Sequence, residues 1–285
     1  EGLDAVTAIR MATLNAAECF DLKDRGAIAP GYRADVVLLD DLKDFHVNRV
    51  FIQGALVAEE GKYLPEIKRY DISTVKGSVI VKDFSAEKFK MHLKSNKVNV
   101  IKILPGGVVT AKDTAEIQLD ENGEFVRNPE EDIVKVAVVE RHQGTGNVAC
   151  GFLKGYGIKE GAVALSVAHD SHNIIVVGVN DEEMEFAVNS LIEQEGGIVL
   201  VKEGKVIESM PMPIAGLMSD QSGEWVDQKL TDIHEKAYEE LGICGDVEPV
   251  MTLCFMSLAV IPEIKLTDMG LFDVTTFSFI PVEVE

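Results

Sequence analysis

The sequence predicts an α+β fold with an antiparallel sheet. Helical stripes and short apolar or alternating strands are interspersed along the chain, whereas a parallel α/β protein alternates them strictly. The 285 residues carry 27 lysines and arginines against 48 aspartates and glutamates, which gives a formal charge of −21, and 46% are hydrophobic. This composition is typical of a folded globular protein, and the length predicts two domains, or one and a half.

The N-terminal part of the chain predicts a helix and then a small β-module. Apolar residues recur three or four positions apart over residues 3–19, which is typical of a helix. Residues 36–39 form a short apolar run that fits a buried strand, and residues 47–51 and 55–58 form another pair of strands. Gln53-Gly54 predicts a tight hairpin turn, because glycine accepts a positive φ. Three such strands are too few to close a core.

Beyond a boundary near residues 65–76, the pattern predicts helices among antiparallel strands. The clearest helix covers residues 181–195, with Asn180 as its N-cap and a glycine pair at its end. A second helix covers residues 225–241 and ends at Gly242. The strands of this part are expected at residues 98–104, 108–119, 133–139, 163–168, 174–179, 198–201 and 206–207.

The composition also excludes several classes of function. A chain this acidic offers no continuous cationic surface for a phosphate backbone, so we expect no nucleic acid partner. No stretch reaches the roughly 18 apolar residues of a membrane-spanning helix, and no signal peptide is visible, so we expect no membrane partner. The four cysteines show neither a zinc-ribbon nor a disulfide spacing. Buried thiols in a reducing compartment fit this pattern, and we expect a cytoplasmic protein.

A first polar cluster follows the predicted strand at residues 133–139. Glu140, Arg141 and His142 come directly after this strand and precede a loop with two glycines. Backbone can approach a ligand closely at such a place, so these three residues are candidates to line a site. The alternative interpretation is a polar loop with turn glycines.

A second polar cluster, which contains His169, Asp170, His172 and Asn173, lies between two apolar strands. His169 and His172 are candidate metal ligands, and His169 with Asp170 is a candidate acid/base pair. Two histidines alone make an incomplete metal site, since zinc usually takes about three or four protein ligands. A turn stabilised by polar side chains is the alternative, although five adjacent polar residues exceed what a turn requires. Residues 210–218, apolar but broken by two prolines, are interpreted as core or as a loop lining a pocket or an interface.

Several stretches of the sequence together resemble a known enzyme family. Residues 8–18, AIRMATLNAAE, and residues 26–36, GAIAPGYRADV, resemble the segment by which an amidohydrolase barrel leads into a β-domain. Other stretches resemble the C-terminal domain of bacterial adenine deaminases. They are ERHQGTGN at 140–147, GFLKGYG at 151–157, VAHDSHNI at 167–174 and PIAGLMS at 213–219.

The resemblance implies three parts of the chain. Residues 1–21 would be the last helix of a metal-dependent hydrolase barrel, residues 22–70 part of a β-sandwich, and residues 71–285 the C-terminal α+β domain of an adenine deaminase. The implied reaction is the hydrolysis of adenine to hypoxanthine and ammonia, as in purine salvage or adenine catabolism, by water that a manganese or iron ion activates.

The metal ligands of such a barrel lie at the ends of its strands, which would be upstream of Glu1. We therefore expect a C-terminal fragment that is inactive by itself, that has adenine as the substrate of its parent enzyme and that forms a homo-oligomer. A non-catalytic structural or oligomerisation module stays an alternative, as does a related amidohydrolase acting on another cyclic amide or amidine. The candidates to line the substrate site are Glu140, Arg141, His142, His169, Asp170, His172 and Asn173.

Overall fold

The computed structural model describes residues 2–104, 106 and 108–284. The chain divides into two compact units, Glu1–Tyr70 and Asp71–Glu285. Within the described ranges, no helix combines the length and the apolar character needed to cross a lipid bilayer.

The first unit is a helical segment followed by an antiparallel sheet. Helix α1 (Ala5–Arg10) continues through a π-helical turn (Met11–Asn15) into α2 (Ala16–Cys19). The helix predicted over residues 3–19 is therefore confirmed, and Asp4 caps it by accepting the backbone N–H of Val6. The sheet pairs its strands in chain order, as β1 (Val36–Leu39), β2 (Val47–Ile52), β3 (Ala55–Glu59) and β4 (Lys62–Tyr63).

The hairpin between β2 and β3 turns at the predicted dipeptide. Gln53 and Gly54 both have positive φ, 52° and 81°, as a two-residue hairpin turn requires. Among the described residues of this unit only Ala17 is buried. Phe20 is 76% exposed and Ile28 is 90% exposed. The module therefore does not close a core of its own, as expected for so few strands.

The second unit is built on an eight-stranded sheet. The strands of the unit are β5 (Lys97–Ile103), β6 (Thr110–Glu116), β7 (Gln118–Leu119), β8 (Phe125–Val126), β9 (Ile133–Val139), β10 (Val148–Lys154), β11 (Ala162–Leu165), β12 (Ile174–Gly178), β13 (Gly197–Lys202), β14 (Lys205–Pro211), β15 (Ile264–Thr267), β16 (Gly270–Asp273) and β17 (Ser278–Phe279). The spatial order of the eight-stranded sheet is β14-β13-β11-β12-β9-β10-β5-β6. All neighbours run antiparallel except β5 and β10, which are parallel.

Helices cover both faces of this sheet. They are α3 (Asp181–Glu193), α4 (Gly223–Glu239) and α5 (Pro249–Cys254), with short 3-10 helices at Ser73–Val75 and Ala86–Phe89. Every residue of β9 is buried, and its side chains alternate between two cores. Val136 packs in the core shared with α4 and α5, whereas Ala137 packs in the core shared with α3. The predicted α+β class with antiparallel sheets is confirmed.

The predicted helix at residues 181–195 is confirmed as α3, and the Asn180 side chain accepts the backbone N–H of Glu183, as the N-cap prediction requires. The sequence pattern does not predict the short strands β4 and β8, nor β10 or the strands β15 to β17. Gly151 weakens the strand signal of β10, since glycine inside a strand is unfavourable. The structure places it against Leu266, whose Cδ1 lies 3.5 Å from where a Cβ on Gly151 would be.

Candidate functional site

One end of the eight-stranded sheet brings the candidate residues together. Val139 at the end of β9 pairs with Val148 of β10 and with Ile174 of β12. Leu165 at the end of β11 pairs with Ile198 of β13, at the same end of the sheet. Three connecting segments therefore meet here. We call them the glycine-rich loop (140–147), the histidine turn (168–173) and the proline segment (212–218).

Glu140 holds the glycine-rich loop in its conformation. The side chain is only 6% exposed. One carboxylate oxygen accepts the backbone N–H groups of His142 and Gln143, at 2.5 and 2.7 Å. The other accepts the N–H and the hydroxyl of Thr145, at 2.9 and 3.1 Å. The carboxylate therefore acts as the hydrogen-bonding centre of its own loop.

These hydrogen bonds determine the charge of Glu140. Burial would raise the pKa of this carboxyl, but the hydrogen bonds from Thr145, Gln143 and His142 outweigh burial and lower the pKa to about 2. Glu140 is consequently ionised at neutral pH, and its acceptor sites are occupied. It is poorly suited to donate a proton in acid/base chemistry.

Arg141 is a buried residue of the glycine-rich loop, and its side chain connects this loop to the histidine turn and to the proline segment. Its side chain is 1% exposed, and no carboxylate of the described residues forms an ion pair with it. Nε donates to the His172 carbonyl at 2.5 Å, and Nη2 donates to the Ala215 carbonyl at 3.2 Å. The Arg141 carbonyl accepts the N–H of Ile80 at 2.8 Å. Burial lowers the pKa of Arg141, whereas the nearby Glu140 charge raises it.

A glycine of the proline segment packs against the Arg141 guanidinium. Gly216 has a φ of +71°, and a Cβ placed on it would lie 2.7 Å from Nη1 of Arg141. Only glycine fits at this position without moving one of the two groups. Nη1 itself is buried, and none of the described residues is its hydrogen-bond partner. Ser166 fixes the same glycine, because its hydroxyl donates to the Gly216 carbonyl at 2.5 Å.

The three histidines of the site, His142, His169 and His172, lie in the two loops that contact each other. The rings of His169 and His172 pack edge to face, with centroids 5.4 Å apart, and His169 also contacts Phe255, with centroids 4.9 Å apart. His142 is exposed, and its Nε2 lies 2.7 Å from the Ser171 carbonyl oxygen. The glycine-rich loop and the histidine turn are therefore in direct contact.

His172 is held in a recessed and neutral state. Its φ of +52° is in the left-handed region, and its backbone N–H donates to the Ala168 carbonyl at 2.6 Å. Burial lowers the pKa of His172, and the His169 and Arg141 charges lower it further. Nδ1 of His172 is buried and has no hydrogen-bond partner among the described residues. A neutral imidazole with a free ring nitrogen can give or take a proton, or hydrogen-bond a polar ligand.

Asn173 and Asp268 connect the histidine turn to the glycine-rich loop. The Asn173 side chain is buried, its Oδ1 accepts the Arg141 N–H at 3.4 Å, and its Nδ2 donates to Asp268 at 3.2 Å. The other Asp268 oxygen accepts Nδ2 of Asn147 at 3.3 Å. Neither Asp268 nor Ser166 was a candidate from sequence. Each sits in or beside an ordinary turn, and no local signal distinguishes it.

The seven predicted residues thus lie at one end of one sheet, but they differ in exposure. His142 and Asp170 are exposed, and His169 and His172 are half-buried. The three buried members, Glu140, Arg141 and Asn173, make their hydrogen bonds within the site. The arrangement therefore separates a layer that could meet a ligand from a layer that supports it.

The metal chemistry considered for His169 and His172 has little support in the geometry. Across the described part of the chain, no group of three or more His, Cys, Asp or Glu side chains is arranged to hold a metal ion. The two imidazoles are neighbours, but no third ligand accompanies them among the residues that the structure describes. The residues described here do not fit a catalytic metal centre.

Comparison with protein families defines the class. Residues 1–57 match the amidohydrolase family, and residues 107–278 match the adenine deaminase C-terminal domain. The second match includes the glycine-rich loop, the histidine turn and the proline segment. The chain is thus related to the amidohydrolases, a class of hydrolytic enzymes. More specifically, the chain belongs to the adenine deaminase family.

Individual relatives agree with this assignment. The chain is 66% identical to adenine deaminase 2 of Desulfotalea psychrophila over 99% of its length and 49% of that protein. It is 50% identical to the adenine deaminase of Ligilactobacillus salivarius, over 100% of its length and 49% of that protein. It is 47% identical to adenine deaminase 2 of Carboxydothermus hydrogenoformans, over 99% of its own length and 49% of that protein. The chain spans about half the length of these curated relatives.

Proposed function

We propose that the chain is the C-terminal part of an adenine deaminase, which hydrolyses adenine to hypoxanthine and ammonia. The observation that carries the proposal is the 66% identity to adenine deaminase 2 of Desulfotalea psychrophila across 99% of this chain. The parent enzyme would act in the cytoplasm, in purine salvage or adenine catabolism, as a homo-oligomer.

The proposed division of the chain has three parts. Residues 1–21 would be the last helix of the hydrolase barrel and residues 22–70 part of a β-sandwich, an assignment supported by the amidohydrolase match over residues 1–57. Residues 71–285 would be the adenine deaminase C-terminal domain. The boundary between compact units at Tyr70 and Asp71 supports this last limit.

The proposed enzyme uses a divalent metal, manganese or iron, that is bound outside this chain. The described residues offer no set of ligands for such an ion. We therefore propose that the chain is inactive by itself. A partner barrel would have to supply the hydrolytic centre.

The chain's own contribution would come from the histidine turn and from His142 of the glycine-rich loop. His142, His169, Asp170 and His172 form the exposed or half-buried layer of the site, whereas the buried layer beneath holds them in place. Burial lowers the pKa of His172, and a neutral imidazole there hydrogen-bonds an uncharged purine without the cost of burying a charge against it. We propose that these side chains contact or orient adenine in the assembled enzyme.

The test is a deaminase assay on the complete polypeptide loaded with Mn²⁺ or Fe²⁺, with the present chain assayed alongside. We expect ammonia release from adenine by the complete polypeptide and none by the chain alone. His169→Ala and His172→Ala should each raise KM for adenine roughly tenfold, about the contribution of one hydrogen bond to an uncharged ligand. His92→Ala, at an exposed histidine outside the site, is the matched control. Unchanged kcat and KM in both site variants would contradict the proposed role.

A non-catalytic oligomerisation module is the second candidate, favoured by the exposed apolar side chains of the first unit, such as Phe20 and Ile28. Sedimentation of the chain alone distinguishes it, because such a module must self-associate without the rest of an enzyme. Assay of the complete polypeptide on other cyclic amides and amidines tests the related-amidohydrolase alternative.

A further inference from the structure

The turn between β15 and β16 reaches both candidate loops through one carboxylate. Asp268 lies in this turn, with one oxygen 3.2 Å from Nδ2 of Asn173 and the other 3.3 Å from Nδ2 of Asn147. Asn147 is the last residue of the glycine-rich loop, and Asn173 is the last residue of the histidine turn. The Asp268 side chain therefore adds a link between the ends of two loops that also contact each other through Arg141 and His142.

A series of hydrogen bonds connects Asp268 to His172. Because a carboxylate has only acceptors, Asn173 must present its NH₂ group to Asp268 and its oxygen to the Arg141 N–H. The Arg141 side chain then donates to the His172 carbonyl at 2.5 Å. His172 is thus connected to Asp268 through two intervening residues, since Asn173 accepts the Arg141 backbone N–H and the Arg141 side chain donates to His172.

The hairpin that carries Asp268 is firmly anchored. Leu266 and Leu271, on either side of the turn, are buried in the large core of the second unit. The turn itself is half-buried at Asp268 and exposed at Met269, so packing alone does not require a carboxylate there. A carboxylate on an anchored hairpin that accepts from the amides of two loops is suited to set a spacing.

We propose that Asp268 is a positioning residue that sets the spacing between the glycine-rich loop and the histidine turn. It acts through Asn147 and Asn173 and has no contact with substrate. The inference deepens the proposed deaminase function and rests on it for the catalytic consequence. The structural consequence, coupling of the two loops, does not depend on that function.

The test uses an isosteric variant and its reciprocal partner. Asp268→Asn removes one acceptor, so an amide of Asn147 or Asn173 loses its hydrogen bond. Combining Asp268→Asn with Asn173→Asp restores every pairing. The new carboxylate at position 173 accepts from Arg141 and from the new amide at 268, whose oxygen still accepts from Asn147. Asn147→Ala, at an exposed position, removes one arm of the link only.

Hydrogen exchange in the full chain measures the coupling. Asp268→Asn should speed exchange roughly tenfold in both 140–147 and 168–173, as expected for the loss of about one hydrogen bond, and the double variant should return it close to the original rate. Asn147→Ala should affect the glycine-rich loop alone, and it keeps the test decisive if Asp268→Asn does not fold. Faster exchange confined to the 267–270 turn, or no recovery in the double variant, would overturn the proposal.

Kinetics of the complete deaminase test the catalytic consequence. Asp268→Asn should raise KM for adenine roughly fivefold to tenfold with a smaller change in kcat, and the double variant should recover KM. A lower melting temperature with unchanged KM would reduce Asp268 to a purely structural residue and overturn its positioning role. Absence of adenine deaminase activity in the unmutated polypeptide would instead refute the proposed function, and the exchange experiment would still decide the loop coupling.

Discussion

Replacing Glu140 with glutamine removes the charge on which four hydrogen bonds converge. The carboxylate accepts from His142, Gln143 and Thr145, and glutamine can offer only one of its two terminal atoms as an acceptor. Its NH₂ group would face backbone N–H donors on one side of the loop. The substitution preserves the size of the side chain, so its effect isolates the charge and the hydrogen bonds.

The size of the effect follows from the pKa. A carboxyl whose pKa falls from 4.5 to about 2 on folding contributes roughly 3 kcal/mol to the free energy of unfolding at neutral pH. Because the pKa is depressed in the folded state, this contribution is present above about pH 4.5 and is lost as the pH falls towards 2. Glu140 is nearly buried, so solvent screens the contribution little.

Urea unfolding at pH 7 and at pH 3 checks this reasoning. We expect Glu140→Gln to lower the free energy of unfolding by roughly 2–3 kcal/mol at pH 7 and by clearly less at pH 3. Glu121→Gln, at an exposed carboxyl, makes the same change in net charge and serves as the control. A difference below about 0.5 kcal/mol at pH 7, the usual size for a surface change, would refute the argument. An equal difference at both pH values would refute it too.

Other predictions concern the supporting layer. Arg141→Lys should lower the free energy of unfolding by roughly 1–3 kcal/mol, because one ammonium cannot replace the fork that reaches His172 and Ala215; an unchanged urea midpoint would contradict this. Gly216→Ala should cost more than Gly204→Ala, since both have positive φ but only the first places its Cβ against Arg141; equal melting temperatures would disprove the steric argument. His172 should titrate below 6.5 by NMR, so its imidazole disfavours the folded state as the pH falls below that value; a pKa above 6.5 would contradict the burial argument.

Local sequence patterns predict the framework of the site well. The run at 133–139 is apolar except for Lys135, and the structure buries all seven residues of β9. Asn180 and the stripe after it predict α3 and its cap, because both signals act within one or two helical turns. The polar clusters at the strand ends then identify the candidate loops. Each of these inferences depends on residues close together in the sequence.

Local sequence patterns could not predict which residues of the site are buried and support it and which are exposed. Asp268 meets Asn173 across 95 residues of sequence, and Phe255, directly after α5, meets His169 across a comparable gap. The local pattern predicts both Arg141 and His142 as residues that line the site, yet the fold buries Arg141 and exposes His142. Only tertiary packing decides which polar residue of a loop supports it and which faces outward.

The Glu140 carboxylate also constrains how the family can vary. Its two oxygens close a loop of fixed length, from residue 140 to the N–H of Thr145. An insertion or deletion within 141–144 would move those N–H groups out of reach and leave a buried, uncompensated charge. Homologues whose loop differs in length should therefore have replaced the glutamate as well. Loop length and residue identity at this position should change together in evolution, even where the rest of the loop diverges freely.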